Sequence, residues 1–232
     1  MQEIGLSKRL NKVKDMIPHE VQTFADIGSD HAYLPCQVCL ERPNVFAIAG
    51  EVNEGPYHAA VHQVESAQLT ERIDVRLGDG LQILENREVD CITIAGMGGS
   101  LITNILKQGM HVLEGVKTLV LQPNIDASSI RQFAIDYQYE IINEDVILED
   151  GYIYELVVLT PSDTSVDYTG KQIYLGPVML QSKNKAFYQK WKQVYYKKKS
   201  IIEQMKQAKQ PNELKIKEFK QQIQWIEEEV FN

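Results

Sequence analysis

Val21-Gln-Thr-Phe-Ala-Asp-Ile-Gly-Ser-Asp-His-Ala-Tyr-Leu-Pro35 is an apolar run that ends in an acid, turns through Gly28 and leads into an apolar helical segment. A strand, a glycine turn and a helix in that order form a pocket for an adenosine-bearing cofactor. A dinucleotide fold asks for three glycines, so that backbone can approach a pyrophosphate and the helix can pack close to the strand. Only Gly28 is present here, and Asp30 and Tyr33 occupy the other two places. A carboxylate at position 30 repels a pyrophosphate but accepts hydrogen bonds from a cationic amino acid moiety, such as that of S-adenosylmethionine. Asp26, Gly28 and Ser29 are therefore candidate cofactor contacts, in a loop suited to a cation rather than a phosphate.

Outward from this stretch, apolar β-rich runs alternate with helical ones, the pattern of a parallel sheet with crossover helices. Strands are expected at about 22–27, 45–51, 73–77, 89–95 and 117–122, and helices at about 31–41, 54–67, 98–108 and 127–136. Two more strands, about 139–148 and 151–159, are joined by Glu149-Asp150-Gly151, whose Asp-Gly is a hairpin turn signal. Seven strands with the last one antiparallel resemble the Rossmann-like sheet of class I methyltransferases, a likeness of fold that carries no function alone.

The loops after these strands supply further candidates. Glu51 ends the second strand 25 residues past Asp26. A carboxylate there can accept both ribose hydroxyl protons, and Val52 and Asn53 follow it at the rim. Asp79 and Gly80, in Gly78-Asp79-Gly80 after the third strand, suit a clamp on adenine, although turn chemistry alone also accounts for them. After the fourth strand comes Ala95-Gly96-Met97-Gly98-Gly99. Glycines so dense cost roughly 1 kcal/mol each relative to alanine in a regular segment. Their presence implies that something large and flat approaches this backbone, and Ala95, Gly96 and Met97 lie where donor and acceptor would meet. Gln122 and Asn124 end the neighbouring strand with amides able to bond a base edge.

The 232 residues carry a net charge of −8 and are 44% hydrophobic, enough for one domain plus an extension. Residues 1–160, the expected cofactor-binding domain, hold 11 Lys and Arg against 24 Asp and Glu, a net −13. Residues 161–232 hold 13 against 8, a net +5. An acidic body with a basic tail points to a polyanion partner, with a lysine-rich solvated helix as the alternative. Residues 161–177 are Ser/Thr/Asp-rich and aperiodic, hence a linker. From 178 to 232 two helical stripes follow. Leu180, Phe187, Trp191, Val194, Ile201, Met205 and Ala208 form the first, interrupted by Asn184 and Lys198; Ile216, Phe219, Ile223, Ile226 and Val230 form the second. Separated by Gln210-Pro211-Asn212, they predict an antiparallel coiled-coil hairpin whose helices of about 30 residues reach on the order of 45 Å. A monomer is expected, although such stripes could also pair between two chains. No apolar run approaches the ~18–20 residues of a membrane span. The amino-terminal segment, with Ile4, Leu6, Leu10 and Val13 among its cations, lacks the apolar stretch of a signal peptide, so a cytoplasmic protein is expected.

Asp26 to Pro35, Ala95-Gly-Met-Gly-Gly99, Leu121-Gln-Pro-Asn124, Leu6-Ser-Lys-Arg-Leu10 and the carboxy-terminal hairpin together resemble the bacterial tRNA adenine-N1-methyltransferases that modify position 22 in the D-arm. The likeness spans essentially the whole chain. It implies a domain that binds S-adenosylmethionine followed by a coiled-coil domain, and tRNA as the substrate. The Asn/Asp-Pro-Pro-Tyr sequence of exocyclic amino methyltransferases is absent, which suits a ring nitrogen whose lone pair already lies in plane. Asp30 is then the candidate to face developing positive charge or accept the N6 proton, its alternative being a helix cap near His31; His31 and Tyr33 could stack on or bond the base. Adenine N1 is hidden in a paired base, so the base must be unpaired or extruded, and the energy for this must come from elsewhere on the RNA. Lys8, Arg9, Lys12, Lys190, Lys192, Lys197, Lys198 and Lys199 are the candidate phosphate contacts.

Other features carry less. Cys36-Gln-Val-Cys39 has no second pair and Cys91 falls inside a strand, so all three cysteines read as core. His58 and His62 have ligand spacing without a third ligand and read as surface histidines; no metal is expected.

Overall fold

The computed structural model describes residues 5–231, so Ile4 and the extreme ends of the two expected domains lie outside it. Strands β1 (Thr23–Ile27), β2 (Phe46–Glu51), β3 (Ile73–Leu77), β4 (Cys91–Gly98), β5 (Thr118–Ile125), β6 (Tyr139–Glu149) and β7 (Tyr152–Pro161) form one sheet in the order β3-β2-β1-β4-β5-β7-β6. The first five pair in parallel, and β7 inserts antiparallel between β5 and β6. All seven strands lie where the apolar runs place them. The central strands are buried on both faces, as a parallel sheet covered by helices requires. Strand order reverses between β1 and β4, and the crevice that this opens at their carboxyl ends is where such sheets bind ligands.

Helices α2 (Tyr33–Glu41), α3 (Glu54–Ser66), α4 (Gly99–Gln108) and α5 (Ala127–Asp136) cross over between strands as expected. Two helices were not legible as such. Helix α1 (Lys8–Met16) is capped by the Ser7 hydroxyl, which accepts from the Leu10 N–H, and it buries Val13 and Met16 against the sheet. A second, α6 (Gly170–Leu175), lies within the stretch expected to be a bare linker, closed by a capping box between Thr169 and Gln172.

The arm is shorter than the stripe implies. Helix α7 (Lys185–Lys206) has 22 residues and α8 (Glu213–Val230) has 18, so they reach about 33 and 27 Å at 1.5 Å per residue. Asn184, which interrupts the stripe, is the N-cap of α7: its side-chain oxygen accepts from the Phe187 N–H at 2.9 Å, leaving Leu180 in the turn before the helix. Phe187, Trp191, Ile202, Ile216 and Ile226 are buried, so Ile202 rather than Ile201 carries the seam there. Lys198, the other interruption, lays its ammonium 3.8 Å from the centre of the Phe219 ring.

A buried ionic cluster fixes the arm to the body. The Arg131 side chain, on α5 and 1% exposed, donates from Nε to Glu144 Oε1 at 2.6 Å and from Nη2 to Glu155 Oε1 at 2.8 Å. Its Nη1 reaches the carbonyls of Ile173 and Tyr174. Glu144 Oε2 accepts from the Val178 and Met179 N–H groups, and Lys190 of α7 closes on Glu155. Burial opposes the Glu155 charge, yet Lys190 and Arg131 hold its carboxyl down at about 2. Removing one partner of such a set strands the others. Arg131→Ala is expected to cost about 3–5 kcal/mol of unfolding free energy in urea; an unchanged midpoint contradicts this account of the joint.

Candidate active site

Asp26, at the end of β1 and 3% exposed, accepts from Thr93 Oγ1 of β4 at 2.6 Å and from Ser29 Oγ at 2.8 Å. Burial raises its pKa against these two hydrogen bonds and the nearby Arg9 charge. Both carboxylate oxygens are thus engaged within the chain, and Asp26 holds the loop rather than standing open as an acceptor. Ser29 is likewise buried and turned inward. The Gly28 and Ser29 N–H groups both donate to the Gly50 carbonyl, tying the loop to β2.

Beyond Ser29 the backbone does something unforeseen in the sequence. Asp30, His31 and Ala32 have φ values of 46, 72 and 56°, three successive left-handed residues without a glycine among them. Each costs of order 1–2 kcal/mol in this conformation. The turn brings the backbone of Asp30 and His31 near the Glu51 carboxylate, where it counteracts part of the effect of burial. Ala32 is the N-cap of α2 and no side chain bonds there, so the helix-cap alternative for Asp30 falls away. The Asp30 side chain is exposed, with Oδ1 3.5 Å from His31 Nε2, and the His31 and Tyr33 rings stack with centroids 5.7 Å apart.

Glu51 is buried, and burial raises its pKa against the effect of that backbone. Its Oε1 has no hydrogen-bond partner. A buried acceptor left open beside a crevice is what a ligand's hydroxyls would fill. The crevice itself, about 400 Å³, is lined by Ile27, Gly28, Val52, Asp79, Gly80 and Met97, with Leu101, Asn104, Ile105 and Gln108 from α4. A Cβ on Gly28, whose φ is +70°, would stand 2.3 Å from Met97 Cε. Gly28, Val52, Asp79, Gly80 and Met97 are therefore brought together in one crevice, whereas Asn53 starts α3 at an exposed position. The α4 contribution was missed. Its signal is a stripe at i, i+3, i+4, i+7 that mixes Leu101 and Ile105 with the amides Asn104 and Gln108, too polar for a core face.

The glycine-rich loop has two explanations rather than one. A Cβ on Gly99 would lie 1.9 Å from the Asp126 carbonyl oxygen, so its close contact is with this chain's own backbone. Gly96, with φ +80°, sits at a register shift between β4 and β5, next to the half-buried Ala95. Its N–H donates to Gln122 Oε1 at 3.0 Å and its carbonyl accepts from Asn124 Nδ2 at 2.7 Å.

The eight candidate RNA cations divide. Lys190 is spent on Glu155, Lys12 pairs with Asp145 at 2.5 Å, and Arg9 Nη1 donates to Gln122 Oε1 at 2.6 Å, so these three serve the fold or the site. Lys198 is half-buried on Phe219, where burial lowers its pKa. Lys8, Lys192, Lys197 and Lys199 remain exposed. The cysteines are buried as expected, and burial pushes the Cys36 thiol up to about 12. His58 and His62 are exposed on α3.

With Glu51 buried beside the crevice, between the lining residues Gly50 and Val52, and its Oε1 unpartnered, replacing it by alanine is expected to weaken S-adenosylmethionine binding at least tenfold, about the contribution of one hydrogen bond to a charged group. Isothermal calorimetry measures this, and unaltered affinity removes Glu51 from the site.

The family model for TrmK, tRNA (adenine(22)-N(1))-methyltransferase, matches residues 24–228. A Bacillus subtilis tRNA (adenine(22)-N(1))-methyltransferase is 42% identical over 234 residues, covering 98% of each chain. The crystal structure of the B. subtilis M1A22 tRNA methyltransferase superposes with a TM-score of 0.90 at 40% identity, covering 98% of this chain and 100% of that one. A Streptococcus pneumoniae protein described as a putative tRNA (m1A22) methyltransferase, in complex with S-adenosyl-L-methionine, gives 0.86 at 35% identity over 97% and 100% of the two chains. The sheet, the crevice and these likenesses agree: this chain belongs to the TrmK family of tRNA (adenine(22)-N(1))-methyltransferases.

Proposed function

We propose that the protein transfers the methyl group of S-adenosylmethionine to N1 of adenine 22 in the D-arm of tRNA. The observation that carries the cofactor is the buried, unpartnered Glu51 Oε1 beside a glycine-lined crevice in a chain of this family. When bound, the cofactor supplies an activated methyl group on sulfur. Glu51 is suited to hold ribose hydroxyls, Asp79 and Gly80 to flank the base of the cofactor, and the α4 face to wall the crevice. Attack by N1 needs no general base, so the chain acts by placing the two reactants and keeping water out. Asp30, exposed beside Glu51, is the carboxylate available to face positive charge on the methylated base. Incubation with bulk unmodified tRNA and labelled cofactor, followed by digestion to nucleosides, should yield 1-methyladenosine; a different labelled nucleoside rejects the assignment.

The arm is proposed to bind tRNA through phosphate contacts from Lys192, Lys197 and Lys199, acting from the cytoplasm where tRNA resides. Deleting the arm would be a poor test, because it removes Lys190 from Glu155 within the buried cluster. Charge reversal is cleaner. Lys192, Lys197 and Lys199 changed together to glutamate should lower tRNA affinity and reduce the slope of log affinity against log salt by about 2–3, roughly 0.7–0.9 per lost contact. Cofactor affinity should stay constant, and an unchanged slope would assign the arm another task.

A further inference from the structure

On α7 and at the end of α8 the arm exposes aromatic rings in company with lysines. Tyr196 is 63% exposed, and Phe231, which closes α8, is 43% exposed. Tyr195 joins the two. Its ring centroid lies 5.2 Å from that of Tyr196 and 4.7 Å from that of Phe231, while Tyr196 and Phe231 stand 6.4 Å apart with their planes at 81°. Tyr195 is itself fixed: its hydroxyl donates to Glu227 Oε1 at 2.7 Å and accepts from Lys199 Nζ at 3.0 Å. Lys199 Nζ lies 4.8 Å from the centre of the Tyr195 ring, and Lys192 Nζ 5.9 Å from that of Phe231. Both lysines are exposed, and Glu227, the acid that meets this cluster, is engaged with Tyr195.

A ring gains stability from the area it hides from water, so the exposed surfaces of Tyr196 and Phe231 contribute little to folding. The seam between the two helices is carried by other residues, Ile202, Ile216 and Ile226 among them. Exposed rings bordered by ammonium groups are the surface that single-stranded nucleic acid uses: every base has a π face to stack, and the phosphates on either side of it seek cations. A base inside a duplex has both faces covered by its neighbours, so such a surface selects an unpaired one. Two copies of the chain meeting through this surface would set Lys192 and Lys199 of one against those of the other, a like-charge contact that RNA does not face. The cofactor crevice is lined by other residues, so the base taken here is a different one from the adenine that is methylated.

We infer that Tyr196 and Phe231, braced by Tyr195, form a platform on which an unpaired base of the tRNA stacks, with its flanking phosphates held by Lys192 and Lys199. The inference rests on the reading of the arm given above and adds a contact that charge does not supply. The test measures affinity for unmodified tRNA over a series of salt concentrations. Tyr196→Ala is expected to lose about tenfold in affinity, the scale of one stacked base, with the slope of log affinity against log salt unchanged because the ring carries no charge. Phe231→Ala should lose a similar factor. Tyr196→Trp, which keeps a ring, should retain the affinity. Its added indole emission, read against the wild-type protein, should be quenched by tRNA and by single-stranded oligoadenylate more than by duplex RNA of the same length. Full tRNA affinity in both alanine variants, with the charge-reversed Lys192, Lys197 and Lys199 protein still losing slope, overturns the inference alone, as does equal quenching by the single strand and the duplex. Full affinity and slope in all three proteins overturn the arm's role together with it. A change in sedimentation of the RNA-free protein on Tyr196→Ala, with tRNA affinity intact, makes the surface a contact between copies and likewise overturns the inference.

Discussion

A carboxylate removed from water at the point where the sheet changes direction sets the rest of the site. Asp26 bridges β1 to β4 through Thr93 and to the following loop through Ser29, so the two strands that diverge around the crevice are tied at its base. Leaving a buried carboxylate unpaired costs several kcal/mol, which makes these two hydroxyls near-obligatory partners. From that anchor the chain can accept three left-handed residues in succession, because the loop is held at Gly50 on one side and at α2 on the other. The turn lays the backbone of Asp30 and His31 beside Glu51, whose Oε1 is buried without a hydrogen-bond partner.

The second organising contact is the cluster of Arg131, Glu144, Glu155 and Lys190. Its members come from α5, β6, β7 and α7, so body and arm share one set of charges. The arm base also packs Phe187, Trp191 and Ile226 with Val146 of β6 and with Leu175 and Met179, a separate apolar cluster at the sheet edge. A charge cluster and an apolar one at the same joint leave little freedom for the arm to swing. Its exposed lysines therefore stand at a set place relative to the crevice.

Strand positions were legible because apolar runs bounded by turn residues are a local signal, and a parallel sheet buried on both faces makes that signal strong. The acid that ends β2, Glu51, was legible for the same reason. What stayed hidden depends on partners distant in sequence. Lys190 looks like its neighbours Lys192 and Lys197 until Glu155 is placed beside it. Arg9 reads as a phosphate contact until β5 brings Gln122 within 2.6 Å. Gly99 reads as space for a ligand until α5 delivers the Asp126 carbonyl. Helix α6 is too short for periodicity to reveal, and the left-handed run at 30–32 lacks the glycine or asparagine by which such turns are found.

Methylation at N1 also bears on the acids around the crevice, Asp79 in its lining and Asp26 and Glu51 buried beside it. Transfer to an exocyclic amine ends with a proton leaving, but transfer to a ring nitrogen moves a positive charge from cofactor to base and leaves it in the site. Around the crevice, Arg9 tempers the burial-raised pKa of Asp26. Asp30 and Asp79 are both exposed, whereas Asp26 and Glu51 are buried. An acidic body repels RNA in general. The exposed Lys192, Lys197 and Lys199 set a basic edge on the arm against that acidic body.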